Sequence, residues 1–406
     1  MAKSTSELPM GRNEFIALMA MMFATIAFSI DAMLPALPMI AAELTPQDPT
    51  RASWILTSFV LGMGLGTFVT GPLSDALGRK TVVLAGSGLY IIAAGVAWLS
   101  SSLEVMLAAR LVQGLGAAGP RVVSLAIVRD LFAGREMARI MSVVMMIFTI
   151  VPAVAPAMGV AIISFSGWHG IFVSFMIFSA ITVLWLGFRL PETLPKENRR
   201  ALSYSLLFNA LREIFSHPTV RLSIMVQTLA MAMLFSILVM IQPIYEIAFD
   251  RLESFPFWFG GIALVAGSSG LLNAVLVVRI GMRRLVTTAM AVQFGLSWVL
   301  ILVIGAYGPL PFAVFLFWQF VAFFQAGLTV GNLNAIAMEP MGHIAGMAAS
   351  VIGSVSTVLA AIIASVVGQY FDGTPIPLII TVLVLSGTSF WLMVYMARIE
   401  DTLAVR

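Results

Sequence analysis

The chain has 406 residues, of which 60% are hydrophobic and only 10% are charged. Soluble domains carry about 25% charged residues, so a chain this apolar could not cover a water-facing surface, and we expect an integral membrane protein. The chain contains no cysteine, and its three histidines lie far apart, which predicts neither a disulfide framework nor a metal site. The net charge of +3 is no sign of nucleic-acid binding. No nucleophile–base arrangement is visible, so we expect no enzyme activity.

Apolar segments recur along the whole chain. Each is roughly 20 residues long, which is the length of a membrane-spanning helix rather than of a barrel strand. Twelve spans are predicted: 14–37, 52–72, 81–100, 104–127, 139–163, 169–189, 220–243, 256–278, 285–305, 311–336, 344–369 and 376–397. The predicted fold class is therefore an all-α membrane protein with twelve transmembrane helices.

The longest polar connection, residues 190–219, lies at the middle of the chain. It predicts a cytoplasmic linker between two six-helix bundles, 1–189 and 220–406, with a surface helix over Leu202–Phe215. The motif "SDALGRKTVV" between spans 2 and 3 has a weak echo, "RIGMRRLVTT", between spans 8 and 9. Such a repeat is typical of transporters whose halves are related by a pseudo-two-fold axis.

The basic residues predict the orientation. With the N-terminus in the cytoplasm, all but four of the 22 Lys and Arg residues fall on cytoplasmic segments. Arg51 and Arg251 fall outside, and Arg110 and Arg121 lie within spans. Positive charge marks the cytoplasmic side, so we expect a multi-pass protein of the cell inner membrane with both termini in the cytoplasm.

The stretch "GPLSDALGRK", residues 71–80, combines several special positions. Gly71 and Pro72 are expected to end span 2 and to allow close approach of another helix. Gly78 suits a turn that a Cβ would obstruct. Asp130, in the next cytoplasmic loop, is a candidate partner for Arg79. Positive-inside anchoring alone would not require this spacing.

These motifs resemble the major facilitator superfamily. The loop 2–3 signature of that family is matched by Gly71, Leu73, Asp75, Gly78, Arg79 and Lys80. In span 4, "RLVQGLGAAG" resembles the family's R-x-x-Q-G motif through Arg110, Gln113 and Gly114. The stretches "DAMLPALP" and "IVRDLF" resemble the bicyclomycin/chloramphenicol-resistance branch of twelve-span drug:proton antiporters.

The resemblance implies roles for particular residues. A conformational charge network that holds the outward-open state would be formed by Asp75, Arg79, Lys80 and Asp130. In span 5, "VPAVAPAMGV" keeps Pro156 and Gly159 for close helix packing. It departs from the antiporter pattern at Ala155, where that branch usually has a glycine.

Asp31 interrupts the apolar run near the end of predicted span 1. If that span ends near Pro38, Asp31 lies about 10 Å below its outer end, and Arg110 lies about as deep in span 4. An unpaired charge there costs at least a few kcal/mol. Asp31 could cap the helix and be wetted from outside. It could instead be a protonatable carboxylate coupled to Arg110, directly or through water, as the antiporter branch implies, and we prefer this second interpretation.

Other polar positions leave alternatives open. Arg121 could be a second interior cation or an interfacial anchor. Glu246 is expected to be an acid at the outer rim, with a second titrating site or a contact for cationic drugs as the alternative. Gln113 is expected to form hydrogen bonds between helices rather than to contact substrate. Candidate substrate-lining residues, chosen by residue type, are Phe23, Phe28, Gln227, Asn273, Gln319, Asn332 and Glu246.

The predicted function is proton-coupled antiport of small apolar or amphipathic drugs, such as chloramphenicol- or bicyclomycin-like compounds. The expected partners are the lipid bilayer, the drug and protons, and the protein is expected to be monomeric. No phosphate-cradling loop is present, so no cofactor is expected and the proton gradient would supply the energy. The alternatives are a proton symporter that imports a metabolite, and a non-transporting membrane receptor or scaffold.

Overall fold

The computed structural model describes residues 10–199 and 204–404, and helices are the only regular secondary structure among them. Twelve of these helical segments are long and apolar enough to cross a membrane. Large apolar side chains such as Phe165 and Phe188 are more than four-fifths exposed, as expected for a surface that contacts lipid. The predicted all-α fold with twelve spans is confirmed.

The chain divides into two compact units, Met1–Ser203 and Tyr204–Arg406. The helices of unit 1 are α1 Arg12–Asp31, α2 Leu37–Leu44, α3 Trp54–Leu77, α4 Arg79–Trp98, α5 Leu103–Leu131, α6 Gly134–Ser166 and α7 His169–Arg189. Three short 3₁₀ turns accompany them, at Leu34–Ala36, Pro49–Ser53 and Lys196–Asn198. The first two turns extend α2 and α3 at their N-terminal ends, and the third follows α7.

The helices of unit 2 are α8 Tyr204–Ser216, α9 Pro218–Pro243, α10 Phe255–Gly267, α11 Ser269–Ile280, α12 Met282–Tyr307, α13 Phe312–Met338, α14 Ala345–Gly368 and α15 Ile376–Ala404. A π-helical turn, Ile244–Ala248, follows α9, and a 3₁₀ turn, Glu339–Ile344, follows α13. The helix α8 occupies most of the segment predicted to form a surface helix, although Leu202 and Ser203 lie outside the described residues.

The two units repeat the same helix pairing. In unit 1, α3 and α4 both pack on α5, α4 packs on α7, and α1 packs on α6. In unit 2, α11 and α12 both pack on α13, α12 packs on α15, and α9 packs on α14. Each pair in unit 2 joins the spans equivalent to those paired in unit 1, which supports the internal repeat that the loop motifs predicted.

Span 1 is longer than predicted, and the correction changes the depth of Asp31. The helix α1 ends at Asp31, but a 3₁₀ turn and α2 continue the same span, which runs from Arg12 to Leu44. Pro35 and Pro38 lack N–H donors and interrupt the helix, but both are followed by further helical turns. Asp31 therefore lies 13 residues, or about 20 Å of helical rise, from the outer end of the span.

The expected helix end at Gly71 and Pro72 is wrong. The helix α3 runs through Pro72 and ends at Leu77. The Ser74 hydroxyl donates to the Gly71 carbonyl at 2.9 Å, and Thr70 donates similarly one turn earlier. Prolines are tolerated within membrane helices when neighbouring groups and local adjustments compensate for the missing donor, so Pro72 does not have to end the helix.

Two predicted packing glycines lie where helices nearly touch. A Cβ at Gly114 would overlap the Phe59 carbonyl oxygen and lie 2.7 Å from the Met63 nitrogen. A Cβ at Gly159 would overlap the Ala32 carbonyl, and Pro156 lies inside the same uninterrupted helix, α6. The small residues therefore allow α5 to approach α3, and α6 to approach the break in span 1.

We expect Gly114→Ala to lower the melting temperature in detergent, because the new methyl group would force α3 and α5 apart. Such overpacking costs about 1–3 kcal/mol. Gly88→Ala on α4 is the matched control, since a Cβ there meets nothing within 4 Å. Equal melting temperatures for the two variants would contradict the close contact between α3 and α5.

Candidate functional site

The guanidinium of Arg110 is fully buried in unit 1 and is held by groups from three helices. It donates to the Ser29 carbonyl at 3.0 Å, to the Ile55 carbonyl at 3.3 Å and to Gln113 Oε1 at 2.7 Å. The carbonyls belong to span 1 and span 2, whereas Gln113 lies on the same helix as Arg110. Gln113 therefore holds the guanidinium from within the same helix, and its expected hydrogen bonding between helices stays a prediction.

Aromatic side chains complete the surroundings of Arg110. Its guanidinium carbon lies 4.4 Å from the centre of the Phe59 ring and 5.9 Å from that of Phe175, within cation–π range. Next to it, the Ser29 hydroxyl shares a 2.5 Å hydrogen bond with the Tyr90 hydroxyl. Sequence reasoning missed Ser29 and Tyr90, because a serine and a tyrosine within apolar runs carry no distinctive spacing.

Asp31 lies two residues beyond the Ser29 carbonyl that binds Arg110. It is 5% exposed, so it does not face bulk water. Within residues 10–199 and 204–404, no side chain forms an ion pair or a hydrogen bond with its carboxylate. The structure thus brings Arg110 to the level of Asp31 through the backbone of α1, and it shows no direct Asp31–Arg110 pair.

The predicted charge network is assembled at the inner end of unit 1. Arg79 is the first residue of α4 and is 4% exposed. Its guanidinium donates to Asp75 at 2.5 Å and to Asp130 at 2.9 Å. Lys80 points elsewhere and donates to the Gly187 carbonyl near the end of α7 at 2.6 Å. The geometry joins three of the four residues, whereas their conformational role stays a prediction.

Unit 2 carries a second arginine network that the sequence reasoning did not identify. Arg283, in the first turn of α12, donates to Glu400 at 2.9 Å and to Glu339 at 3.2 Å. Glu339 follows α13 and Glu400 lies in the last turns of α15. The echo "RIGMRRLVTT" was the available signal, but the two acids lie far from it in the sequence.

The candidate substrate-lining phenylalanines pack within unit 1. Phe23 meets Phe148 edge to face, with ring centres 6.1 Å apart. Phe28 packs on Phe175 and Phe178, at 5.3 and 5.5 Å. Both side chains are buried, so the structure places them in the packing of α1 against α6 and α7.

The candidate polar residues of unit 2 form two separate pairs. Tyr245 donates its hydroxyl to Gln319 Oε1 at 2.8 Å, and Asn332 donates its amide to Asn273 Oδ1 at 2.6 Å. The buried Nε2 atom of Gln319 has no hydrogen-bond partner among the described residues, and the same is true of Gln227 Oε1. Unpaired buried amides are costly in a membrane interior, and other amides of unit 2, such as Gln242 and Gln325, also have unpaired buried atoms among the described residues.

Arg121 and Glu246 remain outside these clusters. The Arg121 guanidinium contacts the Met63 sulfur at 3.5 Å, and no described carboxylate forms an ion pair with it. Glu246 is half-buried in the π-helical turn after α9. Both pairs of alternatives for these residues stay open.

Comparison with known proteins places these features in a family. A family model described as Major Facilitator Superfamily matches residues 17–365. A bicyclomycin resistance protein homolog from Haemophilus influenzae is 30% identical over 362 residues, which cover 87% of this chain and 88% of that protein. A chloramphenicol resistance protein from Pseudomonas aeruginosa is 37% identical over 150 residues, covering 36% and 35% of the two chains. The predicted resemblance is confirmed.

Solved structures agree on the fold. A crystal structure of a D-xylose-proton symporter superposes with a TM-score of 0.73 at 13% sequence identity, over 94% of this chain and 97% of that one. At this level of identity the likeness concerns the fold alone.

We expect Arg110→Lys to lower the melting temperature, because one ammonium group cannot reproduce the planar guanidinium that reaches two carbonyls and Gln113 together. Leaving a buried acceptor unpaired costs about 1–3 kcal/mol. Arg121→Lys is the control, since the contact of Arg121 is a single sulfur atom. A drop of equal size in both variants would contradict the anchoring role of Arg110.

Proposed function

Because the chain belongs to the Major Facilitator Superfamily of membrane transporters, we propose that it exports small drugs in exchange for protons. Relatives named for bicyclomycin and chloramphenicol resistance support this direction and this class of substrate. The proposed substrates are small, largely apolar compounds that resemble those antibiotics. We place the protein in the cell inner membrane, as a monomer with both termini in the cytoplasm.

The observation that carries the proposal is the buried carboxylate of Asp31, for which the described residues supply no ion-pair or hydrogen-bond partner. An ionised carboxylate in the membrane interior is expensive unless it is paired. The hydrogen-bond donors of Arg110 bind two carbonyls and Gln113 rather than this carboxylate. Binding a proton removes the cost of the Asp31 charge, and this makes Asp31 suited to carry a proton through the buried state.

The exchange cycle follows from this chemistry. Asp31 takes up a proton from the outer side, and the protonated carrier resets toward the cytoplasm. Release of that proton to the inner side accompanies drug binding. Arg110 holds the backbone of α1 two residues before Asp31 and keeps a positive charge nearby, which favours proton release when water reaches the site. The Asp75–Arg79–Asp130 cluster biases the equilibrium toward the outward-open state.

The polar atoms of unit 2 support a neutral substrate. The unpaired buried amide atoms of Gln319 and Gln227 are one donor and one acceptor. Amide groups recognise hydroxyl, carbonyl and amide groups of an uncharged ligand. Compounds of this kind include chloramphenicol, which we therefore choose as the test substrate.

In inverted vesicles with an acidic lumen, we expect the protein to accumulate labelled chloramphenicol as protons leave. Asp31→Asn keeps the shape of the side chain but cannot carry a proton, so accumulation should fall to the level of vesicles without the protein. Glu253→Gln, at an exposed acid in unit 2, is the control and should retain full accumulation. Undiminished transport by Asp31→Asn would refute the role of Asp31.

The same vesicles separate the alternatives. A symporter that imports a metabolite would accumulate substrate only when the gradient is reversed and the lumen is alkaline. A receptor or scaffold would accumulate nothing with either gradient.

A second measurement tests the coupling without a membrane. Adding chloramphenicol to the purified protein in weakly buffered detergent solution should release protons, which a pH-sensitive dye reports. The expected source is Asp31, so Asp31→Asn should bind the drug without releasing protons. Equal proton release by both proteins would assign the coupling to another group.

A further inference from the structure

The segment after α7 makes an unexpected contact with the start of α4. Glu192, in "LPETLP", accepts hydrogen bonds from the backbone N–H groups of Arg79 at 2.8 Å and Lys80 at 3.1 Å. These groups belong to the first turn of a helix, where N–H donors have no partner within the helix and the helix dipole favours negative charge. The Glu192 carboxylate therefore caps α4 with both of its oxygens.

Gly78 makes this cap possible. It has a positive φ of 102°, and a Cβ at this position would lie 2.5 Å from Glu192 Oε2. Arg199 lies on the other side of the carboxylate, with its Nη2 atom 3.9 Å from Oε2. The glycine thus leaves the space that the carboxylate occupies.

The same segment also reaches the charge network. The Thr193 hydroxyl donates to Asp130 Oδ2 at 3.4 Å, and this oxygen also accepts from Arg79 Nε. Glu192 and Thr193 therefore contact two consecutive parts of the network, the helix start that carries Arg79 and the acid that binds it. The segment after span 6 is therefore hydrogen-bonded both to the start of α4 and to Asp130.

Unit 2 repeats part of this arrangement, without a carboxylate against the glycine. Gly281 has nearly the same backbone conformation as Gly78, with φ 80° and ψ 156° against φ 102° and ψ 153°. An acid at the end of the last span again contacts the helix that follows the glycine, because Glu400 binds Arg283. The position three residues before Gly281 is Val278, so the span 2 acid Asp75 has no counterpart there. The acid after the fourth span recurs, since Arg283 also binds Glu339. An acid near the end of the sixth span recurs as well, although Glu400 binds the Arg283 side chain whereas Glu192 binds backbone N–H groups.

We propose that Glu192 is a positioning residue of the transport cycle, which holds the start of α4 so that Arg79 reaches Asp75 and Asp130. This inference rests on the proposed transport function, in which that network favours the state closed at the inner side. Loss of Glu192 then loosens the inner end of unit 1 and shifts the carrier toward the inward-open state.

The absence of cysteine from the chain allows a clean test. A cavity of about 430 Å³ lies at the inner ends of α1 and α6, and Ala17 is among its lining residues. Ala17→Cys would report access from the inner side through its rate of modification by a water-soluble maleimide. In this background we expect Glu192→Gln to raise the rate by about tenfold, because charge-assisted hydrogen bonds are the strong ones.

Glu197→Gln is the matched control, since it removes the same charge from an exposed position five residues later. It should leave the labelling rate unchanged. In vesicles, Glu192→Gln should lower kcat for chloramphenicol with little change in KM, because the substrate contacts are untouched. Glu192→Asp should lie between the wild type and Glu192→Gln.

Labelling of Glu192→Gln at the rate of the Glu197→Gln control would overturn the inference. If Glu192→Gln does not fold, Glu192→Asp decides by the same comparison. The labelling needs no substrate, so it tests the inference even if the wild type transports no drug. Failure of transport alone would count against the proposed function and not against the positioning role.

Discussion

A charged side chain inside a membrane must find its hydrogen-bond partners within the protein, and much of unit 1 is organised around this need at Arg110. Its guanidinium takes carbonyls from α1 and from the start of α3, and rings from α3 and α7 cover it. The Ile55 carbonyl comes within reach because α3 and α5 approach closely. That approach depends on Gly114, whose missing Cβ leaves room for the Phe59 carbonyl. A buried charge and a packing glycine one turn away are therefore parts of the same arrangement.

Asp31 lies beside this arrangement, but Arg110 does not form an ion pair with it. A purely structural acid would be expected to pair with the nearest cation, and Arg110 is held at the Ser29 carbonyl, two residues away. The guanidinium instead donates its hydrogen bonds to neutral acceptors. The positive charge of Arg110 is therefore not paired with an acid among the described residues. A proton carrier needs this combination, because a firm ion pair would hold Asp31 ionised throughout the cycle.

The sequence predicted the parts of the structure that have local signatures. Asp75 and Arg79 lie four residues apart across one turn, and Asp130 was recognisable as an acid on the same side of the membrane. The role of Glu192 could not be recognised in the sequence. Its partners are backbone N–H groups, which carry no residue-specific signature. The end of span 1 was missed for a related reason. Pro35 and Pro38 are typical helix terminators in isolation, but the apolar run beyond them reaches Leu44, and burial favours further helical turns over a polar loop.

Comparison of the two units separates features of the fold, which recur in both, from the interior polar residues, which differ. Helix pairing and the glycine turns at Gly78 and Gly281 recur in both units. The interior polar groups do not, because Arg110 and Gln319 lie at the same place in equivalent helices, seven residues after the start of α5 and of α13. Unit 1 thus has a cation where unit 2 has a neutral amide bound to Tyr245. Arg110 keeps its charge throughout, so in the proposed cycle Asp31 carries the proton and amides and rings meet the uncharged drug. Under the proposed function, the difference between Arg110 and Gln319 agrees with a division in which unit 1 carries the proton and unit 2 contributes the neutral contacts to the drug.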